Sequence, residues 1–140
     1  MAELEIKIIW EDEHMIEVSV RACNDRYSGY TEFYTSREHL IEIAREITGY
    51  PKNLSHTVSF GTGEDKSNSY FNCNLIPAYP TAHFKARIEL SEIYKQPEYT
   101  NRDSVYLEFP IEAASIDSFV VQLKQMASAP VGADAAVMSG

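Results

Sequence analysis

The stretch Thr35-Ser36-Arg37-Glu38-His39-Leu40-Ile41-Glu42-Ile43-Ala44-Arg45-Glu46-Ile47-Thr48-Gly49-Tyr50-Pro51 decides how the rest of the chain is read. Leu40, Ile43, Ala44 and Ile47 recur at helical spacing and share one face. Thr35 is placed to cap the first turn, and Glu38, three residues on, to reach back to the cap residue's own N–H. Gly49 suits a left-handed C-terminal position, and Pro51 cannot continue a helix. Glu38, Glu42 and Glu46 recur every four residues on a roughly opposite face. The segment is therefore an amphipathic helix with an acidic, water-facing side, and its apolar stripe needs a sheet to cover.

Sheet-forming sequence lies on both sides of it. Leu4, Ile6, Ile8 and Trp10 alternate with charged residues, as do Ile16, Val18, Val20 and Ala22. Glu11-Asp12-Glu13 separates these two runs, which predicts a hairpin. Asn24-Asp25 marks the next turn, and Tyr27 to Tyr34 reads as a third strand. Beyond the helix, His56–Phe60 is short and β-prone, and Gly61 to Asn68 reads as loop. In Tyr70–Ile76, Phe71, Cys73 and Leu75 share one side, and Tyr70, Asn72 and Asn74 the other. Pro77 and Pro80 bracket a turn, and Ala82 to Leu90 alternates cleanly. Tyr94–Arg102 reads as a polar, projecting connection. Val105, Leu107, Phe109 and Ile111 make a further strand, whose Pro110 suits an edge. A second helix starts at Ser115, with Ile116, Phe119, Val120, Leu123 and Met126 or Ala127 on its apolar stripe.

Short turns between strands imply antiparallel pairing, because parallel neighbours need long crossovers. The predicted architecture is α+β: a two-layer sandwich in which a mostly antiparallel sheet of about six to seven strands carries two helices on one face. Residues 1–128 form a single domain without an internal repeat. Residues 129–140 carry no periodicity and are expected to be a poorly ordered tail.

Composition narrows the function. The chain has 140 residues, a formal net charge of −9 and a pI near 4.8. That balance argues against nucleic-acid binding, which needs phosphate-neutralising cations. It suits a basic protein partner, whose approach an acidic face would steer, and it also suits plain solubility. No run approaches the roughly 18 apolar residues of a membrane helix. The first residues lack a signal-peptide layout, so a cytoplasmic setting is expected. Cys23 and Cys73 give no disulfide framework. Either could in principle meet His56 or His83 as a nucleophile pair, but no local motif supports it. Gly61-Thr62-Gly63 lacks the lysine of a phosphate loop. His14 beside Glu11, Asp12 and Glu13 has metal-ligand atom types without a second cluster to complete a site. No catalytic residue, cofactor or metal is expected.

What remains is surface suited to protein contact. Nine tyrosines are present, and Tyr offers large rigid area at low entropic cost. The candidate partner-binding residues are Glu38, Glu42, Glu46, Tyr70, Asn72, Asn74 and Tyr99. The order of features resembles the WapI-type immunity proteins and related small bacterial proteins. The matching parts are Ile16-Glu17-Val18, Tyr34 into Glu38–Leu40 and Ala44, Gly49-Tyr50-Pro51, Val58-Ser59-Phe60-Gly61, the alternating strand 82–90, and Ser115-Ile116-Asp117-Ser118-Phe119 followed by Leu123. The resemblance implies a non-enzymatic inhibitor of a cognate toxin domain, expected to be basic. Two other classes stay open: a small enzyme or ligand-binding domain with its site between sheet and helices, and a homodimer pairing through an edge strand.

The helix stripe yields a direct expectation. Ile47→Ala should cost about 2–5 kcal/mol in a denaturant melt, as for other buried aliphatics; a loss below about 1 kcal/mol would put the stripe elsewhere.

Overall fold

The computed structural model describes residues 1–63, 65–66, 68–78 and 83–140. Among them the order is β1 (Glu3–Glu11), β2 (Ile16–Cys23), β3 (Ser28–Thr35), α1 (Arg37–Ile47), β4 (Val58–Gly61), β5 (Tyr70–Ala78), β6 (His83–Lys95), β7 (Thr100–Ile111), α2 (Ala113–Ala127) and β8 (Ala135–Ser139). Four positions for which a turn, loop or strand start was expected, Glu64, Ser67, Pro80 and Ala82, lie outside the described residues.

The opening hairpin forms as its alternation dictates. Leu4 pairs with Ala22, Ile6 with Val20 and Ile8 with Val18, and all six side chains are buried. The Asp12 carboxylate accepts from the backbone N–H groups of His14 and Met15, which closes the turn. Trp10 departs from the expected pattern. A bulge between Ile8 and Trp10 moves its ring to the outer side, where it is 42% exposed and meets Tyr34 edge-on.

The helix at the centre of the sequence forms with its stripe buried as read: Leu40, Ile43, Ala44 and Ile47 all lie in the core. Its cap is one residue later than expected. Thr35 is still paired in β3, opposite Ile16, so Ser36 becomes the cap and its Oγ accepts from His39 N–H at 3.1 Å. The expected partnership of Thr35 with Glu38 does not form. Gly49 takes φ 78°, as its role at the helix end requires.

The class is α+β with antiparallel pairing throughout, but the single sheet of six to seven strands is not what forms. The strands make two four-stranded sheets, ordered β3-β2-β1-β8 and β4-β5-β6-β7. One-sided alternation fixes which face of a strand is buried, not whether the next strand extends the same sheet. The division exposes a structural repeat that the sequence hides. Each half of the chain runs strand, strand, strand, helix, strand, and the last strand of each half joins the sheet of the other. β4 pairs with β5, and β8 pairs with β1.

β8 is the second correction. Ala135–Ser139 is a paired strand rather than a poorly ordered tail, with Ala136 and Met138 fully buried opposite Ile6 and Leu4. Five residues of mostly small side chains are too short for periodicity to register. The Tyr94–Arg102 segment projects from a hairpin as expected, but only Gln96–Tyr99 is its turn. β6 and β7 stay paired out to Lys95 and Thr100, and Gln96 N–H donates to Tyr99 O across the tip. Pro110 does sit on an edge strand, opposite Lys85.

The helices link the sheets. α1 leads from the β3 edge of one sheet to β4 at the edge of the other, α2 from β7 to β8, and the two pack together. The α2 stripe of Ile116, Phe119, Val120, Leu123, Met126 and Ala127 is buried, although the helix begins at Ala113 rather than Ser115. One core runs through both sheets and both helices. Phe33 of β3 stacks on Phe71 of β5. Arg37 ties three elements: its guanidinium grips the Glu11 carboxylate at 2.6 and 3.2 Å and donates to the carbonyls of Ala127 and Ala129 past the end of α2.

Tyr50, 3% exposed against His56 and Phe84, has no hydrogen-bond partner for its hydroxyl among the described residues. Burial pushes its phenol from the ordinary 10.0 up to about 12. The neutral phenol is thus favoured by folding, and that contribution is complete below pH 10 and lost as pH rises towards 12. Tyr50→Phe should melt like the parent at neutral pH and lose less stability than it between pH 10 and 12, which thermal melts across that window will read. Equal alkaline losses in the two proteins would show that Tyr50 ionisation is not the cause.

Candidate protein-contact groove

The site is built from the pleat of β5. Phe71, Cys73 and Leu75 turn into the core, which puts Asn72 and Asn74 on the opposite face. β4 lies beside them, Gly61 opposite Asn72 and Ser59 opposite Asn74. The strands come this close because residue 61 has no side chain. A Cβ there would stand 2.1 Å from the Phe71 carbonyl oxygen, and the backbone has φ 154°.

α1 closes the other wall. A ring nitrogen of His39, Nε2, lies 2.9 Å from the Gly61 carbonyl oxygen, so in the tautomer with a hydrogen on Nε2 it donates across from helix to strand. Its other nitrogen, Nδ1, is 3.8 Å from the Glu42 carboxylate. The result is a groove of about 480 Å³ lined by His39, Glu42 and Glu46 on one side and by Ser59, Asn72 and Asn74 on the other. On the floor, Ser59 Oγ donates to Asn72 Oδ1 at 2.9 Å, and Asn72 Nδ2 donates to Asn74 Oδ1 at 3.2 Å. This relay orients both amides. Two exposed carboxylates and an ordered row of amides, beside the side chains of Ile43 and Phe60, suit hydrogen-bonding cationic or peptide groups.

Five of the seven residues singled out in the sequence therefore line one groove: Glu42, Glu46, Tyr70, Asn72 and Asn74. Tyr70 departs from its expected role. It is only 7% exposed and its ring is covered by the Lys66 ammonium at 4.6 Å, which is itself held by Glu89 at 2.9 Å. It supports the groove end rather than presenting a free ring. Glu38 is exposed but lines a separate cleft with Glu11, Asp12, Glu13 and His14. Tyr99, 62% exposed, sits at the β6–β7 tip and does not line the groove.

His39 and Gly61 were not singled out. His39 stands three residues before Glu42 and seven before Glu46, so helical spacing alone could have added it to the acidic flank. Gly61 carried no such signal, because its need for glycine arises from a strand that pairs from elsewhere in the chain.

Of the two thiols in the nucleophile pairs left open, the Cys23 Sγ lies 3.6 Å from the Met1 carbonyl oxygen. Cys73 is fully buried, and burial pushes its thiol well above its ordinary value, the opposite of a reactive thiolate. His56 accepts from Lys52 N–H at 3.0 Å beside Tyr50. Among the described residues, no group of three or more His, Cys, Asp or Glu is arranged to hold a metal ion, the His14 cluster included. No described helix is long and apolar enough to cross a membrane.

No family model matches the chain, and no curated protein does. Among solved structures, the chain is similar to the plant transcriptional regulator PBF-2, with a TM-score of 0.42 and 8% identity over 89% of this chain and 72% of that one. A likeness that remote bears on neither mechanism nor partner.

Proposed function

We propose that this chain is a non-enzymatic protein-binding module on a two-layer α+β frame, and that the groove between α1 and β5 receives a basic segment of its partner. The observation that carries the reading is the convergence of Glu42 and Glu46 with the amides of Asn72 and Asn74 along one open groove. The three glutamates of α1 all stay exposed, so the helix keeps a row of like charges that costs a few tenths of a kcal/mol per pair in an isolated helix. Arg45 alone offers local relief on α1's last turn. A cationic partner turns this cost into attraction, strongest at low salt. The resemblance to WapI-type immunity proteins gives the partner a class: a toxin domain held inactive in the cytoplasm of a bacterial cell.

The test uses the toxin domain that this reading expects a neighbouring gene to encode. Expressed alone it should arrest growth, and this chain should restore growth and form a complex with it. Changing Glu42 and Glu46 together to Lys should slow association at least tenfold at low salt and flatten its salt dependence, with the melting curve unchanged. Unaltered association kinetics would leave the stripe a solvated face, and growth arrest that persists with this chain present would remove the inhibitor reading.

A further inference from the structure

The two sheets have four edge strands, β3, β8, β4 and β7. Three of them meet a tertiary partner. On β4, the Gly61 carbonyl lies within hydrogen-bond distance of His39 of α1. On β8, Val137 N–H donates to Gln122 Oε1 of α2 at 2.9 Å. β3 lies against the other sheet, with Thr31 Oγ1 donating to Glu92 at 2.9 Å. β7 meets Gly29 of β3 through the Val105 side chain, and its edge is capped at its second end, where Asn24 Nδ2 donates to Glu108 O at 3.0 Å and Pro110 follows. Its first part, Thr100 to Ser104, is exposed at every residue.

That Asn24 contact also fixes which backbone groups look outward. The Glu108 carbonyl points away from β6, so by the alternation of an antiparallel ladder the N–H and C=O groups of Tyr106, Ser104 and Arg102 point outward too. Among the described residues none of them has a backbone partner on that side. An uncovered edge of this length is a template for another strand.

We propose that β7 pairs antiparallel with β7 of a second copy of this chain, about a two-fold axis at Ser104. Three observations select this occupant and this register. From Tyr94 to Tyr106 the hairpin carries Lys95, Arg102, Glu98 and Asp103, so it is locally neutral on a molecule of net charge −9. It is a surface on which two copies meet without adding to their repulsion. An axis at Asp103 would set the two Asp103 carboxylates face to face, and an axis at Val105 would put Glu108, whose carbonyl Asn24 already holds, opposite Arg102 inside the exposed stretch, whereas an axis at Ser104 puts it opposite Thr100 at the ladder's end. The axis at Ser104 puts Arg102 of one copy opposite Tyr106 of the other, twice. Tyr106 is 58% exposed, and its ring can lie along the Arg102 stem, whose guanidinium already donates to Ser91 Oγ and the Lys66 carbonyl of its own chain. The contact is isologous and closes, so it stops at two copies. It joins the β4-β5-β6-β7 sheets of both copies into one and leaves the α1–β5 groove of each outside the contact.

Sedimentation velocity on the full chain should show a concentration-dependent shift from 15.9 kDa to twice that mass. Ser104→Pro removes an N–H that no bond inside the monomer uses, a substitution edge strands accept. It should sediment as a monomer at every concentration while keeping the parent's circular dichroism and melt. Independently of any variant, the Ser104 and Tyr106 amides should exchange with solvent more slowly as concentration rises. A chain that stays at 15.9 kDa throughout overturns the proposal. So does a dimer in which those two amides exchange freely, since its contact then lies elsewhere.

Discussion

Two strand exchanges hold this molecule together, and the pairing of β8 with β1 is the one on which most else depends. β1 sits between β2 and β8, so Leu4 and Ile6 are covered on both flanks only once the end of the chain has returned. Met138 and Ala136 complete that layer and are fully buried. Such contacts span nearly the whole sequence. Closing them costs more loop entropy than a local contact would, and they join the two halves in one core. Arg37 reinforces the closure by holding Glu11 at the end of β1 together with the carbonyls that lead from α2 into β8.

The same exchange positions the candidate site. β4 belongs in sequence to the first half but pairs in the second sheet, so α1 stands over the edge of a sheet built mostly from later strands. Only there do the carboxylates of α1 and the amides of β5 share a groove, with Gly61 and His39 joining its walls. The exchange also consumes edges. β4 and β8 each acquire a helix neighbour, and β7 is left to project with Tyr106.

Much of this was legible one element at a time. The stripes Leu40–Ile47 and Ile116–Ala127, the pleat of β5 and the edge position of Pro110 all follow from periodicity and backbone chemistry, and the structure places them as read. What periodicity does not carry is pairing between distant segments. The two-sheet division, the return of Ala135–Ser139 and the cap at Ser36 are all decided by tertiary neighbours. Of the candidate site, the acidic face of α1 and the outward amides were visible in the sequence. That they meet was not, because their junction rests on a missing Cβ at Gly61 whose clash would be with β5. Tyr70 shows the opposite failure: its strand face was read correctly, yet Lys66 covers its ring.

Native-state hydrogen exchange tests the interlocking of the two halves most directly. If β8 is integral, its amides bonded to β1 exchange only through global unfolding, with the same free energy and denaturant dependence as the central amides of β1 and β2. If they instead exchange through a low-energy local opening while β1 and β2 stay protected, the chain's end is a dispensable flap, and the account of the fold given above is wrong.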